Sequence, residues 1–339
     1  MDPVTHALVS ATLDRAGLRR VAPNAMLILV VSGTAADLDL LSYFGGAGAY
    51  FHYHFALLHS ILGSVIVTIG LALAFRALGP RAARAQPPRF APILLLCTIA
   101  TAVHLLFDCL GADGVQLFWP FRNRWFAFDL LPQIDPWILA VIIIGLLLPA
   151  LFRLVGEEIG ERKKKKTVSK GALGACIVIA LYASARAVLH QRAVETLLTH
   201  DYHGAAPLVA GAFPDSASPF LWRGMVETAN TIEQVSVPVG SGDQFRADSS
   251  LTNYKPESSL ALDAARHALL AKQFLAYARF PFADTQTIPN GKLVTIRDLR
   301  FPQDSDFPGN VCAVIELDGG LRIRSEEIDY AGSAGGPKE

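Results

Sequence analysis

The stretch Phe51-His52-Tyr53-His54-Phe55-Ala56-Leu57-Leu58-His59-Ser60 decides how this chain is read. Three histidines stand at the mouth of an apolar run, Ala56–Gly79, that meets the ~20 mostly apolar residues a helix needs to cross a bilayer. Imidazole beside lipid is costly, and such groups normally face a bundle interior, where they pair or bind something. Outward from this stretch the pattern recurs. His104 and Asp108 lie four apart inside the apolar run Phe90–Gly111, a spacing that puts them on one helix face. Upstream, Asp37 and Asp39 close the run Val21–Leu41, and His6 lies in the short segment Pro3–Leu18.

Two more apolar runs, Pro136–Val155 and Gly171–His190, bring the total to five spans. Pro3–Leu18 is amphipathic, carries Asp14, and is too short to cross alone, so it is expected as a short helix packed inside the bundle. The chain of 339 residues has a mean hydropathy of +0.35, but the long apolar runs fall almost entirely within residues 1–190. The expected organisation is therefore a membrane α-helical bundle, five spans plus a short N-terminal helix, over residues 1–190. A soluble α+β domain follows over 191–330, and 331–339 form a Gly-, Ser- and Ala-rich disordered tail. Net charge is zero, so no global field recruits nucleic acid, and no nucleic-acid partner is expected. Nothing in the sequence names a protein partner; membrane lipid is the expected neighbour. The four cysteines, Cys97, Cys109, Cys176 and Cys312, form neither a disulfide framework nor a zinc-ribbon spacing. Met1–Arg20 lacks the basic start and apolar core of a cleavable signal.

Basic residues cluster between spans: Arg76, Arg81, Arg84 and Arg89 in one loop, and Arg162, Lys163, Lys164, Lys165, Lys166 and Lys170 in another. The positive-inside rule makes both loops cytoplasmic. Arg15, Arg19 and Arg20 join them if Pro3–Leu18 and Val21–Leu41 form a hairpin. In that topology His6, Asp37, Asp39, His54, His59, His104 and Asp108 all gather at the extracytoplasmic end. The last span delivers the C-terminal domain to the same side, in a multi-pass protein of the bacterial inner membrane.

These residues form a mixed imidazole and carboxylate set without cysteine, which suits zinc, manganese or iron in an open, catalytic site. Asp37 and Asp39, two apart, face one side in extended geometry, and two such carboxylates repel unless a cation lies between them. His54 and His59 converge if His54 belongs to the non-helical approach to the span. His52 reads as a solvated interfacial histidine, and Ser60 as a cap or hydrogen-bond partner. His200, Asp201 and His203 read as a solvated helix end.

At these positions the chain resembles the YdjM-like, LexA-regulated type of inner-membrane metal-dependent hydrolase. The resemblance runs through Thr5-His6, Ala36-Asp37-Leu38-Asp39, His54-Phe55-Ala56-Leu57-Leu58-His59-Ser60, His104 with Asp108, Pro120-Phe121 and Asp135-Pro136. It covers roughly residues 1–155, and Ser218–Arg223 resembles an extension found in some members. Ala36 stands where the pattern has proline, and Phe55, Ala56 and Leu58 stand where it has Arg, Gly and Thr. The resemblance implies a hydrolase site akin to zinc-dependent phospholipase C. It implies the seven ligands named above, Asp37 and Asp108 as candidate catalytic groups beside an activated water, and Zn²⁺ as the expected ion. Asp135 enters as a ligand or an orienting group, with Thr5 and Ser60 in supporting places. Arg122 and Arg124 are expected to replace the missing basic side chain toward an anionic lipid or phosphoester. A transporter using the same His/Asp cluster as relay groups, or a scaffold stapled by metal, are the rival functions.

In the C-terminal half, Ala185–His200 extends the last span as helix, Leu221–Thr228 and Gln234–Val239 alternate as strands, and Ser258–Arg279 has helical spacing. Lys292–Leu299, Val311–Leu317 and Leu321–Arg324 read as strands, with a hairpin turn at Leu317-Asp318-Gly319-Gly320-Leu321.

Overall fold

The computed structural model describes residues 1–339 except 55, 79–88, 159–167, 241, 243, 302–309 and 331–339; the side chains of 153–158 are likewise not described. The tail and most of the two basic loops therefore lie outside the described residues. Helix α1 (Pro3–Ala16) begins at Asp2, whose carboxylate accepts the Thr5 backbone N–H, with Pro3 pre-set for a first turn. It packs against α2 (Ala25–Gly33), α6 (Pro136–Glu158) and α7 (Lys170–Leu198). Thus α1 lies within the bundle, folded back against α2.

Helices α4 (Ile61–Leu78), α5 (Phe90–Leu110) and α7 are long and apolar enough to cross a membrane. The expected single span Val21–Leu41 is instead broken. α2 stops at Gly33, the Thr34 hydroxyl turns back to donate to the Val30 carbonyl, and the chain continues as a 3₁₀ segment, Ala36–Gly45, bent by 42°. The apolar part of α6 among the described side chains, Pro136–Phe152, is short for a span. Among the described residues there are three candidate spans, or four counting the bent pair as one, so the helical bundle is observed and the expected five spans are not confirmed.

Two apolar clusters hold the bundle. Ile28 and Leu29 of α2, Ala72 of α4 and Leu96, Cys97 and Ala100 of α5 form one. Val9, Phe107, Leu131, Ile138, Ile142 and Ile179 form the other, joining α1, α5, α6 and α7. The helix ends sort by charge. Arg15, Arg19, Arg20, Arg76, Arg89 and Lys170 collect where α1 and α4 end and α5 and α7 begin, tied by Ser169 N–H to the Arg15 carbonyl. The histidines collect at the other end, where α1 and α4 begin and α2 and α5 end.

Beyond α7, the described residues form two four-stranded antiparallel sheets. The first runs in the order β1 (Val209–Pro214), β2 (Leu221–Glu227), β3 (Thr231–Pro238), β4 (Leu251–Tyr254), and the C-terminal turns of α7 supply Ala193 and Leu197 to its core around Trp222. The second is β5 (Pro281–Ile288), β6 (Gly291–Asp298), β7 (Val311–Asp318) and β8 (Ile323–Tyr330), covered by α8 (Leu260–Arg266) and α9 (Leu269–Tyr277). The predicted helix Ser258–Arg279 is thus two helices, interrupted at His267–Ala268, and the last strand begins after Leu321, which turns with φ of 61°.

The sheets sit on the histidine end of the bundle. Helix α3 (Ala47–Tyr53) inserts Ala47 and Tyr50 into the core of the second sheet and packs on β8. Arg279 donates to Asp129 at 2.8 Å and Arg300 donates to the Ala112 carbonyl at 2.9 Å, both on the loop between α5 and α6. Buried Arg186 of α7 donates to the Leu130 carbonyl at 2.8 Å and lies over the Trp222 ring. Burial pushes the Asp129 carboxyl above the ordinary carboxylate range, with Arg279 pulling in the opposite direction.

Candidate metal centre

Five elements converge on one buried cluster. α1 brings His6 and the 3₁₀ segment brings Asp37 and Asp39. The end of α3 and the loop before α4 bring His54 and His59, and α5 brings His104 and Asp108. Among the described residues, two groups of three have ligand atoms within 4.8 Å of one another: His6, Asp37 and His104, and His59, His104 and Asp108. These buried groups could hold a metal ion, and neither includes a cysteine.

The hydrogen bonds fix which nitrogens face inward. His59 Nδ1 lies 2.7 Å from Asp39 Oδ2, and His104 Nδ1 lies 2.8 Å from the Gly33 carbonyl oxygen. A carboxylate and a carbonyl only accept, so both Nδ1 atoms carry the hydrogen. In the neutral rings the Nε2 lone pairs then face each other across 3.1 Å, with Asp108 Oδ2 at 3.3 Å from His59 Nε2 and 3.0 Å from His104 Nε2. Three acceptors so placed are joined either by a proton on one Nε2 or by a metal ion between them. Two buried oxygens point the same way: with both Nε2 atoms unprotonated, Asp108 Oδ2 and Asp37 Oδ2 have no hydrogen-bond partner among the described residues. A divalent ion supplies what these atoms lack, so the donor set fits a metal.

The remaining contacts brace the cluster. Asp108 Oδ1 lies 3.1 Å from His6 Nε2 and 2.5 Å from the Met1 α-amino group. Asp39 Oδ1 lies 2.9 Å from His54 Nδ1, so His54 adjoins the two groups of three through Asp39. The 3₁₀ geometry, and not extended backbone, turns both aspartates inward: Asp39 to His54 and His59, Asp37 Oδ2 to within 3.9 Å of His104 Nδ1.

Other residues singled out from the sequence lie elsewhere. The Thr5 hydroxyl donates to Asp2 at the start of α1. Ser60 donates to the Leu57 carbonyl and accepts the Gly63 N–H at the start of α4. Asp135 Oδ1 accepts the Trp137 and Ile138 N–H groups that open α6, and Oδ2 accepts the Tyr182 hydroxyl. Both roles are those of a helix cap. Arg122 and Arg124 are exposed, and the Arg124 guanidinium lies over the Phe126 ring. His52 is exposed, as are His200, Asp201 and His203.

Sequence reasoning passed over Gly33 and Tyr50. Gly33 offers its carbonyl to His104 and lets α1 approach: a Cβ there would lie 2.1 Å from Ser10 Oγ. Its signal was glycine beside hydroxyls at a helix end. Tyr50 stacks on His54 with ring centroids 4.5 Å apart, one turn upstream on α3.

A family model described as YdjM inner membrane protein matches residues 1–193, which contain every residue of the cluster. The chain belongs to the YdjM inner membrane protein family. Together with the apolar helices, this membership makes it a membrane protein. Among curated proteins, it is similar to the uncharacterized protein YfhP of Bacillus subtilis, with 26% identity over 146 residues. That match covers 41% of this chain and 43% of YfhP, so it spans under half of either protein. No solved structure matches the chain.

Proposed function

We propose that this YdjM-family chain is a metal-dependent hydrolase of the bacterial inner membrane, acting on a lipid or phosphoester substrate at the extracytoplasmic face. One observation carries the reading. His59 Nε2, His104 Nε2 and Asp108 Oδ2 converge within 3.3 Å while both Nδ1 atoms are committed outward. A ligand set of imidazole and carboxylate without thiolate suits Zn²⁺. A divalent ion held there supplies Lewis acidity toward an ester oxygen and toward water.

The chain's own groups divide the remaining work. Asp39 and the Gly33 carbonyl lock the two rings in the tautomer that presents Nε2. Asp108 joins His6, His59 and His104 through its two oxygens. Asp37 is the least buried of the three carboxylates: its side chain is 11% exposed, against 1% for Asp39 and Asp108. Its buried Oδ2, which has no hydrogen-bond partner among the described residues, would take up a proton from a reacting water.

The collection of Arg15, Arg19, Arg20, Arg76, Arg89 and Lys170 at the opposite end supports placing the cluster and both sheets outside the cytoplasm. A lipid or lipid-linked phosphoester is the substrate class suited to such a place, and the sheets, seated on α3 and the loop between α5 and α6, would limit what enters.

Elemental analysis of purified protein, with His59→Ala and Asp108→Ala, tests the centre: stoichiometric metal is expected and should be lost in both variants. Unchanged metal content in the variants would sink the site. Bound metal with no cleavage across a phospholipid panel would instead support a structural staple. A reporter fused after Glu339 is expected to report the extracytoplasmic side.

A further inference from the structure

The 3₁₀ segment Ala36–Gly45 carries a second feature besides its aspartates. In a 3₁₀ helix residues three apart eclipse one another, so the segment has three straight stripes. One runs through Asp37 and one through Asp39, and both of these aspartates turn into the cluster. The third is Leu38, Leu41 and Phe44, exposed by 60%, 59% and 85%. Leu40 and Tyr43 are also partly exposed beside it. From Val21 to Phe55 the only residues of fixed charge are Asp37 and Asp39, so the outward side of the segment carries no charge.

A ridge of two leucines and a phenylalanine, uncharged and this exposed, does not suit water. The same chain continues the ridge backward into the bundle surface. Leu27 and Val31 of α2, exposed by 55% and 36%, face outward on a helix that packs against α1 and α5 by its other side. In a YdjM-family membrane protein that outward surface meets acyl chains. The ridge thus extends a lipid-facing surface through the 42° bend at Gly33–Ala36.

We infer that the 3₁₀ segment lies in the plane of the membrane interface, with Leu38, Leu41 and Phe44 sunk into the acyl region of the leaflet at the cluster end. The occupant of this face is the phospholipid leaflet itself. An interfacial helix of this kind buries its apolar side only ~5–10 Å deep, which leaves its polar side at headgroup level. Asp37 and Asp39 are on that polar side, in the same turns as the ridge. The ridge therefore sets the buried cluster at the depth of lipid headgroups, with the leaflet as the side from which an amphiphile would reach it. This last step rests on the proposed hydrolase reading and narrows its substrate to an amphiphile taken laterally from the bilayer.

The test uses Phe44→Trp in full-length protein reconstituted in phosphatidylcholine vesicles, with the emission of the parent's own tryptophans subtracted. The emission of the introduced indole is expected to be blue-shifted. Lipid brominated near the ester end of its chains should quench it roughly twofold or more, exceeding the effect of lipid brominated near the methyl end or of aqueous iodide. Preferential quenching by iodide would overturn the inference in favour of a solvated ridge. Emission shielded from both quenchers would overturn it in favour of a second copy of the chain covering this face.

The leaflet measurement needs no activity, so it judges the ridge even if the enzyme reading fails. A second arm judges the joined claim. Leu38→Gln combined with Leu41→Gln, added to Phe44→Trp, is expected to retain bound metal and abolish the lipid quenching of the introduced indole. The same combination should lower hydrolysis of bilayer phospholipid about tenfold. Retained metal with undiminished bilayer hydrolysis would overturn lateral entry.

Discussion

Asp39 holds two histidines at once, with Oδ1 2.9 Å from His54 Nδ1 and Oδ2 2.7 Å from His59 Nδ1. The carboxylate belongs to the 3₁₀ segment, His54 closes α3, and His59 sits in the loop before α4. One side chain therefore joins three pieces of backbone. It also dictates the His59 tautomer, because a carboxylate beside Nδ1 keeps the hydrogen there and directs the Nε2 lone pair inward. Tyr50 carries the link further: its ring stacks on His54, and it is buried in the core of the second sheet.

Replacing Asp39 by Asn tests this orienting role. Asn conserves shape but can present an N–H toward one of the two Nδ1 atoms, where the aspartate only accepted. Loss of a partner that orients a metal-bound histidine typically lowers metal affinity by ~10–100-fold. Asp39→Asn is therefore expected to fold, as judged by helical circular dichroism, and to bind zinc that much more weakly in competition with a chromophoric chelator. Parent-like affinity would show that His59 needs no such partner.

Gly63→Ala isolates the loop that carries His59. In an ordinary helix interior, alanine for glycine stabilises by ~1 kcal/mol. Here a Cβ would lie 1.9 Å from the Leu57 carbonyl oxygen, a backbone atom that cannot turn aside. The clash should outweigh the helix gain, because overpacking of this kind costs ~1–3 kcal/mol. The expected result is a lower melting temperature in detergent together with weaker zinc binding. A more stable variant with unchanged affinity would show that the loop shifts freely.

Much of the bundle was legible because lipid imposes a simple rule. Runs such as Phe90–Gly111 have no reading in water as plausible as a span, and an imidazole or carboxylate inside them stands out. That made His6, His59, His104 and Asp108 visible before any coordinates. The break at Gly33 was less legible. It follows from where Asp37 and Asp39 must point, a tertiary requirement that hydropathy does not encode. Asp135 was ambiguous for a related reason: next to proline at a helix start, a capping aspartate and a ligand have the same sequence signature, and in the structure it caps α6. Arg122 and Arg124 were assigned by the charge a phosphoester would need, and charge alone places no side chain. Among the strands, β4 has four residues at a sheet edge and β5 has no fully buried position, so neither shows the alternation of β6 or β7.

Metal removal should be felt as stability, since a metal held by His59, His104 and Asp108 in the folded protein alone adds its binding free energy to folding. A ligand that binds only the folded state at ~100 times its Kd adds ~2.7 kcal/mol. Zinc at that excess is expected to raise the melting temperature of chelator-treated protein, and Asp108→Asn should erase the increment. A melting temperature indifferent to zinc in the parent would contradict a metal at this cluster.

The contact between Asp129 and Arg279 gives a pH signature remote from the cluster. Burial raises the Asp129 carboxyl in the folded protein and Arg279 opposes the rise, the net direction being upward. A group whose folded value exceeds its unfolded value binds its proton more tightly when folded. Its contribution to stability is therefore fully present below the unfolded carboxylate range and is lost as pH rises through the folded value. Asp129→Asn should remove this component, flattening the melting temperature between that range and neutrality. Arg279→Gln removes the opposing charge at 2.8 Å, so the carboxyl should climb further and the decline should steepen and extend to higher pH. Thermal melts of the three proteins across a pH series in one detergent provide the comparison. A steeper decline in Asp129→Asn than in the parent would reverse the sign of the argument and show that the ion pair, not burial, governs Asp129.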